Sequence, residues 1–297
     1  MKLSGLHFLL TYQCVRECDH CFTWGSPRQT GKMTLDDIHT YLEQARDTRT
    51  ITSVCFEGGE PFLLYATLLQ AVNVAASMGF EVGIVTNAYW ATSQKRALSK
   101  LKPLAGLLES ITLSSDLFHS DQMGSQQVGY AIEAANTLGI STGTISIAQP
   151  EVPGVRAAVG QIPDGGSKVM FRGRAAENLA SRVPSYPWEN YTRCPHEDLV
   201  EPGRVHLDPL GNLHICQGIV IGNLKQAPLK AWCEQYIPEA HPIVGPLLEA
   251  GPAGLVKRYG LDHRDGYVDA CHLCYSMRLA LRGRFPEALA PDQMYGV

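Results

Sequence analysis

The feature that most limits what this chain can fold into is a regular exchange of strand-like and helix-like segments over its first 174 residues. Short apolar or β-branched runs at 6–12, 51–58, 80–87, 109–115, 140–148 and 167–173 read as strands. Between them, 33–47, 63–79, 92–101 and 125–139 have the spacing of helices. Thr34 is placed as an N-cap with Asp37 three positions on, and Gly79 and Gly139 close two of the helices. Residues 151–163, between the fifth and sixth strands, hold at most a short helix. Strand-then-helix alternation implies parallel strands joined by right-handed crossovers. Six strands fall short of the eight of a closed barrel, which leaves an incomplete barrel or a doubly wound sheet. Either architecture gathers ligands at the C-terminal ends of its strands.

The texture changes after Arg174. Residues 175–204 are rich in Pro, Tyr and Trp with little periodicity, and 204–216 reads as a β-hairpin turning at DPLGN. A Pro/Gly-rich region then leads to a two-cysteine turn that enters a helix at 269–285. These features predict two domains, 1–174 and 175–297, without internal repeats or low-complexity segments.

With 297 residues, 45% of them hydrophobic, the chain can build a large α/β domain with a smaller appendage. A net charge of −4 without a basic tract argues against a nucleic-acid partner. No apolar run approaches the ~20 residues of a membrane span, and LHFLL is too short for a signal-peptide core. A cytoplasmic location is therefore expected. Nine cysteines, an odd number in a reducing compartment, point to metal ligation rather than disulfides.

Three of them, Cys14, Cys18 and Cys21, fall in C-x3-C-x2-C spacing just after the first strand, where ligands are expected. Structural zinc wants four ligands, and the nearest other candidate, His20, sits awkwardly beside Cys21. A four-iron cluster is normally held by four cysteines, so three would leave one iron open to a substrate or cofactor. Cys194, Cys216, Cys271 and Cys274 form a second candidate set, the last two at a helix start that favours thiolates. They suit zinc or a second cluster. Cys55 reads as a core residue of an apolar strand, and Cys233 as a helix core residue.

C14-V-R-E-C18-D-H-C21 on the loop after a first strand resembles the radical S-adenosylmethionine (SAM) superfamily. His20 stands where that family usually has an aromatic residue. G58-G-E-P61 after the second strand, T86-N87 after the third and S114-S-D116 after the fourth match further family motifs in order, so the resemblance covers residues 6–173. It implies a partial (β/α)6 TIM-like barrel, with a small C-terminal cysteine-rich β-hairpin/helix extension that resembles the Twitch/SPASM auxiliary-cluster region. It also implies SAM bound to a 4Fe-4S cluster on Cys14, Cys18 and Cys21, and its reductive cleavage to a 5′-deoxyadenosyl radical that takes hydrogen from substrate. Gly58, Gly59, Glu60, Pro61, Thr86, Asn87 and Ser114 then belong to the cofactor site, with Glu60 or strand-end carbonyls accepting from the SAM ammonium. The auxiliary set implies a second 4Fe-4S cluster, zinc staying open as the alternative.

Relatives of this layout oxidise a secondary alcohol or a Ser or Cys side chain, and others crosslink peptides. The expected reaction is a small-molecule dehydrogenation, with peptide maturation as the alternative and a two-cluster electron carrier behind both. The expected electron donor resembles flavodoxin or ferredoxin. His119 is the candidate base, with Asp116 beside it, and Arg172 a candidate clamp for a substrate anion. Arg174 reads as an internal salt-bridge partner, Asn87 as a turn residue, and His206 and His214 as a surface pair on a hairpin. Only thirteen residues precede Cys14, so a fused peptide-recognition domain ahead of it is not expected.

Overall fold

The computed structural model describes residues 1–119, 125–152 and 165–297. Six parallel strands stand side by side in chain order: β1 (Leu3–Leu9), β2 (Ser53–Glu57), β3 (Glu81–Thr86), β4 (Ser110–Ser114), β5 (Ser141–Ile147) and β6 (Gly165–Ser167). Helices α1 (Leu35–Asp47), α2 (Tyr65–Ser77), α3 (Gln94–Leu101) and α4 (Gln126–Thr137) connect the first five. The expected mixed α/β fold with a mostly parallel sheet is present.

Local chemistry explains the elements. Thr34 accepts from the Asp37 amide while the Asp37 carboxylate accepts from the Thr34 amide, so two otherwise unpaired N–H groups of α1 are satisfied reciprocally. Ile38, Tyr41, Leu42 and Ala45 then fall on one buried face of that helix. Burying a side chain such as Ile38 or Leu42 contributes about 2 kcal/mol.

The sixth strand differs from its prediction. It occupies Gly165–Ser167, and residues 168–173 run as irregular chain into α5 (Arg174–Asn178). Val169 and Phe171 alternate like strand residues, but they pack in a small separate core with Ala175 and Leu179 rather than on a ladder. The predicted segment 151–163 lies, from residue 153 onward, outside the described residues.

Downstream, β7 (Tyr186–Pro187) precedes a meander of β8 (Gly203–Leu207), β9 (Asn212–Cys216) and β10 (Ile219–Asn223). Helices α6 (Leu229–Gln235) and α7 (Val244–Tyr259), strand β11 (Gly266–Tyr267) and helix α8 (Ala270–Leu281) complete the chain. α7 breaks at Gly251, whose φ is 60°. The two-residue strands β7 and β11 pair with each other.

The predicted hairpin forms, and the Asp208 carboxylate closes its turn by accepting from the amides of Leu210 and Asn212. Strand β10 was not legible in the sequence. β8 pairs in parallel with β1 on the side away from β2, which makes one nine-stranded sheet in the order β10-β9-β8-β1-β2-β3-β4-β5-β6. The sheet therefore runs on across residue 174, and one hydrophobic core joins side chains from both parts of the chain. His206 and His214 are consequently not a surface pair. They are 5% and 0% exposed, because β1 covers one side of the hairpin and later elements the other. Among the described residues, no helix is long and apolar enough to cross a membrane.

Candidate active site

Cys14, Cys18 and Cys21 lie on the loop that leaves β1, and the chain after β2 clamps that loop. The Gly59 amide donates to the Thr11 carbonyl at 2.6 Å and the Glu60 amide to the Gln13 carbonyl at 2.9 Å. A Cβ on Gly58, whose φ is 143°, would lie 2.5 Å from the Thr11 oxygen, and one on Gly59 would lie 2.1 Å from the Gln13 oxygen. The paired glycines are thus required by the approach of the cysteine loop itself.

Glu60 is fully buried, its Oε1 accepts from the Phe62 amide and Thr86 Oγ1, and its Oε2 accepts from the Asn87 amide. These hydrogen bonds tie the end of β2 to the end of β3, a scaffold role beside the expected contact with an ammonium. Burial pushes its pKa up to about 7. Pro61 is buried at the start of the following turn. Thr86 also accepts from Trp90 Nε1. Asn87 forms the expected turn, accepting from the Tyr89 amide, and in addition its Nδ2 donates to Cys14 Sγ at 3.5 Å.

Further donors surround the sulfurs. The Arg16 amide donates to Cys14 Sγ and the Gly25 amide to Cys21 Sγ at 3.2 Å. Arg174 pins the loop from the far side, its guanidinium donating to the Cys18 carbonyl at 2.7 Å and the Gly25 carbonyl at 3.1 Å. These backbone contacts, more than an ion pair, account for its burial; Glu17 is 3.9 Å away. Trp24 donates to the Tyr275 hydroxyl at 3.0 Å, which links the first loop to α8. Burial pushes the Cys14 thiol up to about 11, so ligation there involves a cation displacing the proton. Amides aimed at thiols beside a cavity fit thiolate ligands of a cluster.

The second set converges as well. Cys194, Cys216, Cys271 and Cys274 line one small cavity together with Arg172 and Arg278. Cys271 and Cys274 occupy the first turns of α8, which is N-capped by Asp269 through the His272 amide. Burial raises Cys271 and Cys194, and pushes Cys274 up to about 12. Cys55 is buried on β2, and Cys233 lies on α6 away from this cavity. Arg172 was read as a clamp for a substrate anion. Its Nη1 instead donates to Cys216 Sγ at 2.9 Å and lies 3.6 Å from Glu197, with the guanidinium over the Phe22 ring.

A cavity of about 240 Å³ opens inside the sheet against the cysteine loop, lined among others by Cys14, Cys18, Cys21, Ser114, His119 and Arg172. Arg172 therefore lines both cavities. His119 Nδ1 meets Asp116 Oδ1 at 2.7 Å. Asp116 is 1% exposed and also accepts from the amides of Phe118, His119 and Ile147. Burial opposes its charge, but the His119 hydrogen bond and these amides hold the carboxyl below its usual range. Asp116 thus fixes His119. His20 stacks on Phe118 and meets His119 edge-on, and burial pushes it down to about 4.

The same cavity is also lined by His7 on β1, Glu57 on β2 and His206 on β8. Sequence reasoning missed this group. A histidine and a glutamate at inward positions of otherwise apolar strands were the available signal, but the third member arrives only through the β1–β8 pairing, which puts His7 opposite His206.

Three thiols thus stand beside a cavity at the C-terminal ends of a parallel sheet. Residues 8–147 match the family model described as the Radical SAM superfamily, so the parallel-sheet part of the chain is similar to a radical SAM domain. SAM and a 4Fe-4S cluster are what that family expects at the Cys14, Cys18 and Cys21 loop. The chain is 26% identical over 125 residues to YydG of Bacillus subtilis (strain 168), whose name assigns it provisionally to peptide biosynthesis; the match covers 42% of this chain and 39% of YydG. It is also 26% identical over 125 residues to an S-adenosylmethionine-dependent nucleotide dehydratase of Fibrobacter sp. (strain UWH6), across 40% of this chain and 35% of the dehydratase. The matched region thus spans under half the length of these relatives. The fold is similar to that of anSMEcpe with bound AdoMet, at a TM-score of 0.52 and 11% identity over 100% of this chain and 98% of that one. It is also similar to BtrN in complex with AdoMet and 2-DOIA, at 0.50 and 16% over 78% of this chain and 82% of BtrN.

Proposed function

We propose that this enzyme oxidises a small polar molecule by hydrogen abstraction, with Cys194, Cys216, Cys271 and Cys274 holding a second four-iron cluster that receives the remaining electron. The observation that carries this reading is Arg172, which lines the barrel cavity and also donates to Cys216, so a substrate in the barrel lies within one side chain of the second cysteine set. Neither cysteine set is among the groups of described side chains whose ligand atoms all lie within 4.8 Å of one another. Zinc, which takes four sulfurs at ~2.3 Å, stays open as the alternative for these four cysteines.

SAM and the first cluster, when bound, supply the 5′-deoxyadenosyl radical. The chain's own residues do the rest. The Asp116 carboxylate accepts from His119 Nδ1–H, which leaves Nε2 as the atom able to take a proton. Loss of a hydrogen atom, a proton to His119 and an electron to the second cluster together make a two-electron oxidation. Residues 175–297 act in this reading as the auxiliary-cluster region, and a flavodoxin- or ferredoxin-like protein supplies the first electron. A peptide substrate is the second reading, favoured by the similarity to YydG.

The test is anaerobic reconstitution with iron and sulfide counting, then dithionite and SAM with detection of 5′-deoxyadenosine. About eight irons are expected in the parent and about four after Cys271→Ala with Cys274→Ala, with cleavage retained. Unchanged iron in that variant would overturn the auxiliary cluster. Turnover of precursor peptides but not of small alcohols would replace the first reading with the second.

A further inference from the structure

We propose that His7, Glu57 and His206 form a divalent metal site in the barrel cavity, built from residues outside both cysteine sets. One imidazole Nδ1, one imidazole Nε2 and one carboxylate oxygen converge there from three strands, all within 4.8 Å of one another. His206 Nε2 lies 3.0 Å and His7 Nδ1 3.5 Å from Glu57 Oε1. Two ligands each ~2.1 Å from one ion are roughly 3.0–3.5 Å apart, from octahedral to tetrahedral geometry. The spacing is that of a chelate.

Hydrogen bonding does not account for the cluster. His7 Nδ1 and Glu57 Oε1 are buried without a hydrogen-bond partner, although each lies near the other. The His206 contact with Glu57 is short but misdirected for a hydrogen bond, since Glu57 Oε1 remains unpartnered. Gln217, only 5% exposed, sets its amide Nε2 against the His206 ring and leaves its Oε1 unpartnered. Buried polar atoms in folded proteins are paired in the great majority of cases. Three buried polar atoms left unpaired at one spot, His7 Nδ1, Glu57 Oε1 and Gln217 Oε1, indicate a missing partner, and a cation held with His206 Nε2 satisfies the first two at once. Burial opposes charge on Glu57, yet the neighbouring histidines hold its carboxyl well below the usual range, and burial pushes the His206 imidazole down to about 4.

Two imidazoles and one carboxylate with open positions suit a ferrous or zinc ion. The open positions face the cavity, where a substrate oxygen or nitrogen would complete the coordination. The substrate class this selects is a molecule with a hydroxyl, carboxylate or amine that can bind a metal.

The test uses the cluster-loaded protein, passed anaerobically through EDTA and then dialysed against zinc chloride at defined free concentrations. Metal content is read by mass spectrometry, and 5′-deoxyadenosine formation is measured on the same samples. The parent should hold one zinc more than His7→Asn and His206→Asn, with affinity at least tenfold weaker in the variants. Glu57→Gln, which keeps the side-chain shape, guards against a misfolded histidine variant. Equal zinc in parent and all three variants, at any level including none, would overturn the site. Since SAM cleavage is scored independently, failure of the radical chemistry would be seen separately.

Discussion

Gly59→Ala isolates the part of the architecture that positions the first cluster. An added Cβ would lie 2.1 Å from the Gln13 carbonyl oxygen, 2.5 Å from its carbon and 2.7 Å from the Tyr12 oxygen. Ordinary contact begins near 3.4 Å, so relief demands a shift of about 1.3 Å. All three obstacles are backbone, and they belong to the segment that ends at Cys14. No side-chain rotation can absorb the clash, so the loop moves relative to β2, and the Gly59 and Glu60 amides lose the Thr11 and Gln13 carbonyls. A misplacement of about 1 Å in a reacting constellation costs on the order of 10²-fold in rate. SAM cleavage in Gly59→Ala should therefore fall about 100-fold, with partial loss of iron from the first site and retention at the second. Gly25→Ala is the control on the same loop, since its Cβ would meet Cys14 Cβ at 3.4 Å and the Gly59 Cα at 3.5 Å. Cleavage is read as 5′-deoxyadenosine per protein with dithionite. Parent-like iron and cleavage in Gly59→Ala would refute the claim that the glycine pair serves the loop.

Other perturbations test separate parts. Arg172→Gln removes a buried cation and its bond to Cys216; with such charged hydrogen bonds worth about 1.5–3 kcal/mol and about 59 mV per tenfold, the proposed second cluster should drop on the order of 65–130 mV in a redox titration, and an unchanged potential would detach Arg172 from it. Asp116→Asn should slow product formation about 10²-fold and shift its pH profile while 5′-deoxyadenosine formation holds; an equal fall in both would return His119 to a packing role. His241 is held neutral, mainly by burial, with Nδ1 accepting from the amides of Ile243 and Val244 and Nε2 against the Val220 carbonyl. Its folded pKa lies below 6.5, so the unfolded chain binds more protons and the stability it contributes is present above pH 6.5 and lost as pH falls below it. Denaturant midpoints of the parent should fall from pH 7 to 5 more steeply than those of His241→Ala, and parallel curves would exclude His241 as the source.

Much of the barrel was legible because its signals are local. The capping box at Thr34 and Asp37, the helix-closing glycines and the strand–helix alternation each act within a few residues, and through the fifth strand they appear where the spacing predicts. The sixth strand was misplaced because Val169 and Phe171 carry a strand-like pattern that packs on α5 instead. The order of motifs along the first four strands likewise located the mouth of the barrel. Their individual roles were less legible: Glu60 has the chemistry to accept from an ammonium, and only its burial against Thr86 and Asn87 reveals that its oxygens also tie β2 to β3.

By itself the sequence determined the class of fold, the three-thiol loop after β1 and the supply of four later cysteines, since these depend on residue type and on spacing within single elements. Tertiary structure alone decided which distant residues meet. It laid β8 against β1, which buried His206 and set it beside His7 and Glu57, and it folded residues 172–174 over the cysteine loop so that Arg174 grips the loop while Arg172 turns to Cys216. Parallel pairing between strands about 200 residues apart leaves no periodic trace in either strand, because the ladder is made by backbone groups that every residue carries.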